Sequence, residues 1–398
     1  MAVLPFGLVV GFTITALPFL LTNAGIPLDR VASVSATVMS PTFWGFLLNP
    51  LLDVGLSRRA YSFLSAILGA IFMGSALWLL SPAHLGISAA LLLLSDLCIV
   101  LFAGAVGGWT AEFVPERLRG AVGGWTNVAN LGGGAAGSLL VMDLAKHYSV
   151  RTLGLGLSVA IVAGLWPALL FPVARRSSFG VKQVFTLAMR ATWQACRRRE
   201  CLVGFSLFLA PASSVAAINL FSGMGKDFHA SSNTVIAVTG AGCAISSSAG
   251  SLLGGWVSGR LPRGYIYLGG GIAAAACALG MAFAARTPSV YSWGVLLYNG
   301  IAGIAYAAFT ALGLQLTGND CPVAATQLGM FAAATNGAIT YMTWLDGQGY
   351  RLGGARGLLC TDALASAATA IPLLFLVRRE LRRSAGVASQ VCAAAPAD

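Results

Sequence analysis

Four carboxylates lie within or at the ends of long apolar runs of this chain: Asp96, Glu112, Asp346 and Asp362. An ionisable group set in hydrocarbon is costly, and it marks a candidate functional position. Asp96 falls inside one run and Asp362 inside another, so both are candidates to carry a coupled proton. Such a carboxyl must take up a proton while open to one side and release it to the other. Glu112 falls at the inner end of its run and Asp346 at the outer end. A structural reading stands beside this one. Asp96 can bond Ser95 or a neighbouring helix, and Asp362 can bond Arg356 or Thr361.

Uncharged amides cost less to bury and can line a solute cavity. Asn127 and Asn130 stand three apart and share a helix face. Asn219, Asn299, Gln315, Gln327 and Asn336 add donors and acceptors in later runs. Trp44, Tyr298, Tyr306 and Tyr341 offer faces on which a ring or sugar could stack. Each of these also serves as interhelical glue in a membrane bundle. No cationic side chain falls at mid-depth, which disfavours a strongly anionic solute such as a nucleotide or acyl-CoA.

Other chemistry lacks its residues. The eight cysteines are scattered without a C-x-x-C pair, so neither a disulfide framework nor a zinc site is indicated. His84, His147 and His229 fall in external loops without metal-ligand spacing. Gly154-Leu155-Gly156 has no strand before it and is not a dinucleotide fingerprint, and no Walker A sequence is present. No cofactor and no metal are expected. The pairs Gly120/Gly124, Gly133/Gly137, Gly250/Gly254 and Gly255/Gly259 are small-xxx-small spacings that allow helices to approach closely.

The elements that must position these groups are membrane spans. The chain has 398 residues, of which 57% are hydrophobic and 9% charged. Soluble domains carry roughly 25% charged residues. A span needs ~20 apolar residues, so this length accommodates about twelve, although about ten or eleven also fit. The pattern predicts Leu4–Thr22, Val31–Leu52, Tyr61–Leu80, Ile87–Gly108, Ala121–Met142 and Thr152–Val173 in a first half. The second half is predicted as Leu202–Ser222, Thr234–Ser258, Tyr265–Ala285, Tyr291–Thr317, Gln327–Leu345 and Gly357–Val377. The N-terminal stretch lacks a basic region and reads as the first span, not a cleaved signal. The domains are then an N-terminal bundle 1–173, a basic linker 174–200 with a possible interfacial helix, a C-terminal bundle 201–383 and a disordered tail 384–398.

Charge sets the orientation. The net charge is +11, and the basic residues sit between apolar runs. They read as topology signals and contacts to anionic lipid, with no nucleic-acid module. With both ends in the cytoplasm, 17 Lys and Arg lie inside and seven outside. An even number of spans follows.

The halves repeat one another. Arg58-Arg59-Ala60-Tyr61 corresponds to Arg263-Gly264-Tyr265, an offset of 204 between the tyrosines. Asp143 and Asp346 differ by 203, and Arg151 and Arg356 by 205. Independent loops with nearly one offset argue for duplication of a six-helix unit.

Two six-span halves joined by a basic loop resemble the major facilitator superfamily. Asp53-Val54-Gly55-Leu56-Ser57-Arg58-Arg59 is similar to its loop motif between spans two and three, with a degenerate copy at Gly255–Arg260. The resemblance implies a cavity lined by helices one, four, seven and ten, with two, five, eight and eleven beside them. It also implies a cytoplasmic gate, assigned here to Asp53, Arg58, Arg59, Glu112, Arg117, Arg119 and Arg260. A closer resemblance, to the AmpG-like muropeptide permeases and the peptide–acetyl-CoA–drug transporter group, rests on three stretches. These are Asn49-Pro50-Leu51-Leu52-Asp53, Trp109–Gly120, and Ala325-Thr326-Gln327 with Trp344-Leu345-Asp346-Gly347 and Thr361-Asp362-Ala363. Gly107 and Ala103 stand where muropeptide members usually carry acids, so siderophore importers of that group fit equally.

The expected protein is therefore an all-α membrane protein of twelve transmembrane helices in two pseudo-symmetric six-helix bundles. It is expected to act as a monomeric secondary transporter, proton-coupled, for a polar organic small molecule such as a siderophore or peptidoglycan fragment. Its place is the cytoplasmic (inner) membrane. Drug or metabolite efflux by the same fold is the alternative. A membrane-embedded enzyme or a non-transporting sensor are alternatives of other classes; the first lacks any histidine in a span.

Overall fold

The computed structural model describes residues 2–24, 26, 34–35, 37–53, 56–145, 147–170, 199–317 and 324–394, with scattered positions between 183 and 197. Most of the linker 174–200, with its expected interfacial helix, and residues 395–398 lie outside the described residues. The chain makes twelve helical passages, and no strand occurs among the described residues.

In the first bundle, α1 comprises Leu4–Gly11, a π turn Phe12–Ala16 and Leu17–Asn23. α2 includes Pro41–Trp44 and the 3₁₀ stretch Gly45–Asp53, where Pro50 breaks the α pattern. α3 is Arg58–Trp78 and α4 is Leu85–Phe113. α5 runs through Arg119–Asn127, a π turn Val128–Gly132 and Gly133–Leu144. α6 is Val150–Ala163 with Trp166–Leu170.

In the second bundle, α7 is interrupted, with Arg199–Leu209, then short 3₁₀ and α pieces to Phe228. α8 comprises Ser232–Ala237, a π turn Val238–Gly242 and Cys243–Ser258. α9 is Arg263–Phe283 and α10 is Pro288–Thr317. The last helix, Ala324–Ala394, is two passages folded at Gly353 and Gly354. Gly354 has φ 59, which a residue with a Cβ rarely adopts. The part before this break is α11 and the part after it α12.

Seven stretches among the described residues are continuous and apolar enough to cross a bilayer, the last of them holding both α11 and α12. The other four passages are α1, α2, α5 and α7. In these, π or 3₁₀ segments interrupt the α-helix, and α7 also breaks at Ala210 and at Val215, whose φ is 46. Starts follow the sequence: Ser57, Ser149 and Ser231 accept from the N–H three residues on and cap α3, α6 and α8.

Each bundle has its own core. One cluster draws only on residues between Val3 and Ala168, around Phe12, Met73 and Phe102. Two others draw only on the second bundle, around Phe221 and Tyr298 and around Phe208 and Phe331. A small cluster of Ala111, Leu314 and Ala324 joins the two. Leu170, Ile245 and Trp293 are 76%, 72% and 74% exposed, which is the expected outer surface of a protein whose solvent is hydrocarbon.

The structure corrects one boundary with consequences for chemistry. Span eleven was expected to end at Leu345, leaving Asp346 at its outer end. Instead α11 continues to the glycine break, and Asp346 is wholly buried. Its charge does not end the helix because it faces the interior and not lipid. α12 likewise continues as helix past Val377, through to Ala394.

Candidate transport site

The two bundles meet at the end that carries Arg58, Glu112 and Arg263, called here the basic end. Arg58, at the start of α3, donates from Nη1 to the Gly108 carbonyl and to Glu112 Oε2, the latter at 2.9 Å. That ties α3 to α4 within the first bundle. Arg263, which lies outside the expected gate set, crosses between the bundles. Its Nη2 donates to the Glu116 carbonyl at 2.9 Å and its Nη1 to Gln315 Oε1 at 2.8 Å. The Glu116 carboxylate stands 3.6 Å from the same guanidinium. Arg119 is buried close by and feels the same charges.

Of the expected gate residues, Arg59 is half-buried, Arg117 is exposed, and Arg260, in the turn after α8, stacks on Trp256 of that helix at 3.6 Å. The side chain of Asp53 lies outside the described residues.

Glycine spacing brings the backbones together beneath these charges. A Cβ on Gly255 of α8 would stand 2.7 Å from the Gly120 carbonyl and 2.9 Å from Gly124 Cα on α5. On the other side of the interface, a Cβ on Gly329 of α11 would stand 3.0 Å from Phe46 Cβ on α2.

The amides divide into two groups. Asn127 donates to Gly123 of its own helix and across the interface to the Tyr306 carbonyl and Thr310 Oγ1, both at 3.0 Å. Asn336 donates across to the Thr42 carbonyl at 3.3 Å. Both therefore join the bundles at mid-depth. Asn299 bonds the Val295 carbonyl one turn back, Gln315 is held by Arg263, and Gln327 bonds Cys201 Sγ. Asn219 is exposed and donates to Thr343 Oγ1, and Asn130 is half-buried on the π turn of α5.

Aromatic rings surround an opening beside Asn336. Phe43, Gly337, Thr340, Tyr341 and Trp344 line a pocket of about 470 Å³ between α2 and α11. Trp44, 37% exposed, is next to Phe43 and donates from Nε1 to Ser40 Oγ. Tyr341 donates to the Leu209 carbonyl at 2.6 Å. Tyr306 is half-buried, and its carbonyl receives Asn127. Tyr298 is not at this pocket: it is wholly buried and donates to Asp362 Oδ2 at 2.7 Å.

The acids are the deepest polar groups. Asp96 is 2% exposed on α4, with Oδ2 unpartnered, while its neighbour Ser95 bonds the Gly69 carbonyl instead. Asp362 on α12 is 0% exposed. It is held by Tyr298, and neither Arg356 nor Thr361 is its partner: Arg356 stacks on Phe283 and Thr361 bonds the Gly357 carbonyl. Asp346 lies close enough to Asp362 for their charges to interact. No group of three or more metal-ligating side chains occurs among the described residues.

The profile of the Major Facilitator Superfamily matches residues 1–343. The chain belongs to this superfamily. Three solved major facilitator structures share its fold. The human organic anion transporter MFSD10 (TETRAN) is 17% identical, with a TM-score of 0.69, over 94% of this chain and 97% of that one. FucP in the outward conformation is 16% identical, with a TM-score of 0.64, over 93% and 98%. The proton:xylose symporter XylE is 11% identical, with a TM-score of 0.72, over 93% of each chain. No curated protein matches.

Within this major facilitator fold, sequence reasoning misses the role of one residue and misplaces the depth of another. Arg263 enters the sequence reading as a topology charge and a repeat match without a gate role, although the repeat offset pairs it with Arg59, a gate candidate. Asp346 was set at a helix end, although the repeat pairs it with Asp143. For Arg263 the internal repeat held the signal.

Proposed function

We propose that this chain is a proton-coupled secondary transporter for a polar organic solute, working by alternating access. Burial of Asp96, Asp346 and Asp362 without an ion pair among the described residues is the observation that supports this reading most. Such groups are retained in a bilayer for a purpose. The two separate cores, joined from mid-depth to the basic end, are the rigid parts such a cycle needs. In this reading the bundles are 1–173 and 201–383, joined by 174–200. The protein is a monomer in the cytoplasmic membrane with both termini inside.

The pocket between α2 and α11 favours an uncharged ring, with Asn219 and Asn336 near it as hydrogen-bond donors. A siderophore or a peptidoglycan fragment remains the proposed solute class, and a free sugar is tested beside them. The experiment is a solute screen on proteoliposomes with a pH-sensitive dye trapped inside. Xylose, fucose, a ferric hydroxamate siderophore and an N-acetylglucosamine-containing peptidoglycan fragment are added in turn. The expected result is a proton flux triggered by one of them and abolished by a protonophore. Solute uptake indifferent to both the pH gradient and the membrane voltage would reduce the protein to a uniporter.

A further inference from the structure

Asp346 on α11 and Asp362 on α12 are both 0% exposed. The helices that carry them touch close by: a Cβ on Gly349 would stand 2.8 Å from the Gly357 carbonyl. Asp362 Oδ2 receives the Tyr298 hydroxyl of α10 at 2.7 Å, and the Ala217 N–H of α7 bonds the same carboxyl. Its Oδ1 has no partner, and neither oxygen of Asp346 has one. Three carboxyl oxygens of the second bundle are thus buried without a partner, where buried polar atoms are otherwise bonded.

Among the described residues no basic side chain pairs with either acid. Phe221 of α7 sets its ring edge against Tyr298, with centroids 5.1 Å apart. Tyr306 lies two turns on from Tyr298 on the same helix, and Tyr350 and Cys360 lie on the helices that carry the two acids. Arg351 bonds Gln348 at 3.0 Å and Arg356 lies on Phe283 at 4.4 Å. One added proton resolves the arrangement. On Asp346 it makes an O–H donor where there was none, and Asp362 Oδ1 is an acceptor without a partner. The remaining charge then rests on Asp362, which Tyr298 and Ala217 already hold with two donors. Paired carboxyls sharing one proton are a known solution for acids forced together.

We propose that Asp346 and Asp362 form a two-carboxyl site that binds one proton between them, with Tyr298 as the positioning residue. The site is the coupling site of the transporter, a step that rests on the proton-coupled reading above. An O–H bond forms at Asp346 when a proton arrives from water and breaks when it leaves to the other side, and no electrons are exchanged.

The test is infrared difference spectroscopy of the purified, reconstituted protein during a pH titration, read at the C=O stretch of protonated carboxyls. The wild type should show one titrating band that disappears in both Asp346→Asn and Asp362→Asn. Tyr298→Phe should keep the band but titrate at higher pH, because the charged form loses a donor; this variant removes one oxygen and serves if the Asn variants do not fold. A band unchanged in all three variants would overturn the proposal and leave Asp96 as the carrier. A band that responds to sodium and not to pH would also overturn it. A wild type that shows the band while no solute of the panel moves protons keeps the site and defeats only the coupled-transport reading.

Discussion

Arg263 of the second bundle donates to the backbone carbonyl of Glu116 in the first, Nη2 to O at 2.9 Å. The Arg263 side chain is 8% exposed while the Glu116 side chain is 71% exposed. The two partners therefore contribute unequally. A hydrogen bond from a charged donor in a buried setting is worth about 1.5–3 kcal/mol. A solvated ion pair at 3.6 Å is worth about 0–1 kcal/mol. Arg263→Ala is expected to open the basic end, shifting the closed-to-open ratio roughly 10–100-fold. Glu116→Gln, which keeps the carbonyl, should hardly move it. Distances between spin labels at Leu118→Cys and Leu261→Cys, both exposed, read the ratio. Equal effects of the two substitutions would contradict this account.

The same closure depends on glycine. Gly255 has the Gly120 carbonyl where a Cβ would go, and both atoms are backbone, so nothing yields by rotating a side chain. Gly255→Leu is expected to separate α5 from α8 at the basic end. Overpacking of this kind costs about 1–3 kcal/mol. The spin-label pair should report a longer distance, while thermal unfolding of each bundle's own core changes little. A lowered melting temperature with an unchanged distance would show that the glycine serves folding and not closure.

The fold was legible because its determinants are one-dimensional. Apolar run length, loop charge and the repeat offset each read off the chain without knowing its neighbours. The site was legible only in part, because burial of a polar group is a property of two helices at once. Asp96 and Asp362 announced themselves by lying inside apolar runs. Asp346 lay next to Gly347 at the end of one, and nothing local told that α11 would continue past it against α12. Asn127 shows the opposite limit. Its type and face suited a cavity, yet its amide is engaged with Tyr306 and Thr310 on α10, a partner 179 residues away in the chain. The linker offered composition but no partner, and most of it lies outside the described residues.

Asn127 supplies a prediction that separates glue from lining. Its amide bridges the bundles by two bonds at 3.0 Å, to a carbonyl and a hydroxyl. Each such neutral bond is worth about 0.5–1.5 kcal/mol net. Asn127→Ala is expected to weaken the closed state at the basic end, moving the spin-label ratio roughly 5–100-fold if both bonds count. The apparent affinity for the solute, extrapolated to the closed state, should stay unchanged. Loss of affinity with no shift in the ratio would instead make Asn127 a solute ligand.

Trp344 supplies the reverse case. It is 63% exposed and lines the pocket between α2 and α11 with Phe43 and Tyr341. A ring so placed has no interior to fill, so its removal should leave the bundle intact. If the pocket receives a ring-bearing solute, stacking on this face contributes on the order of 1 kcal/mol. Trp344→Ala should then raise the KM for the solute that triggers proton flux by roughly fivefold, with the maximal rate largely kept. Trp344→Phe should recover most of the affinity, because a ring face remains. The spin-label ratio should not respond to either change. An equal fall in maximal rate for both variants, with KM constant, would place Trp344 in the conformational cycle and move the solute away from this pocket.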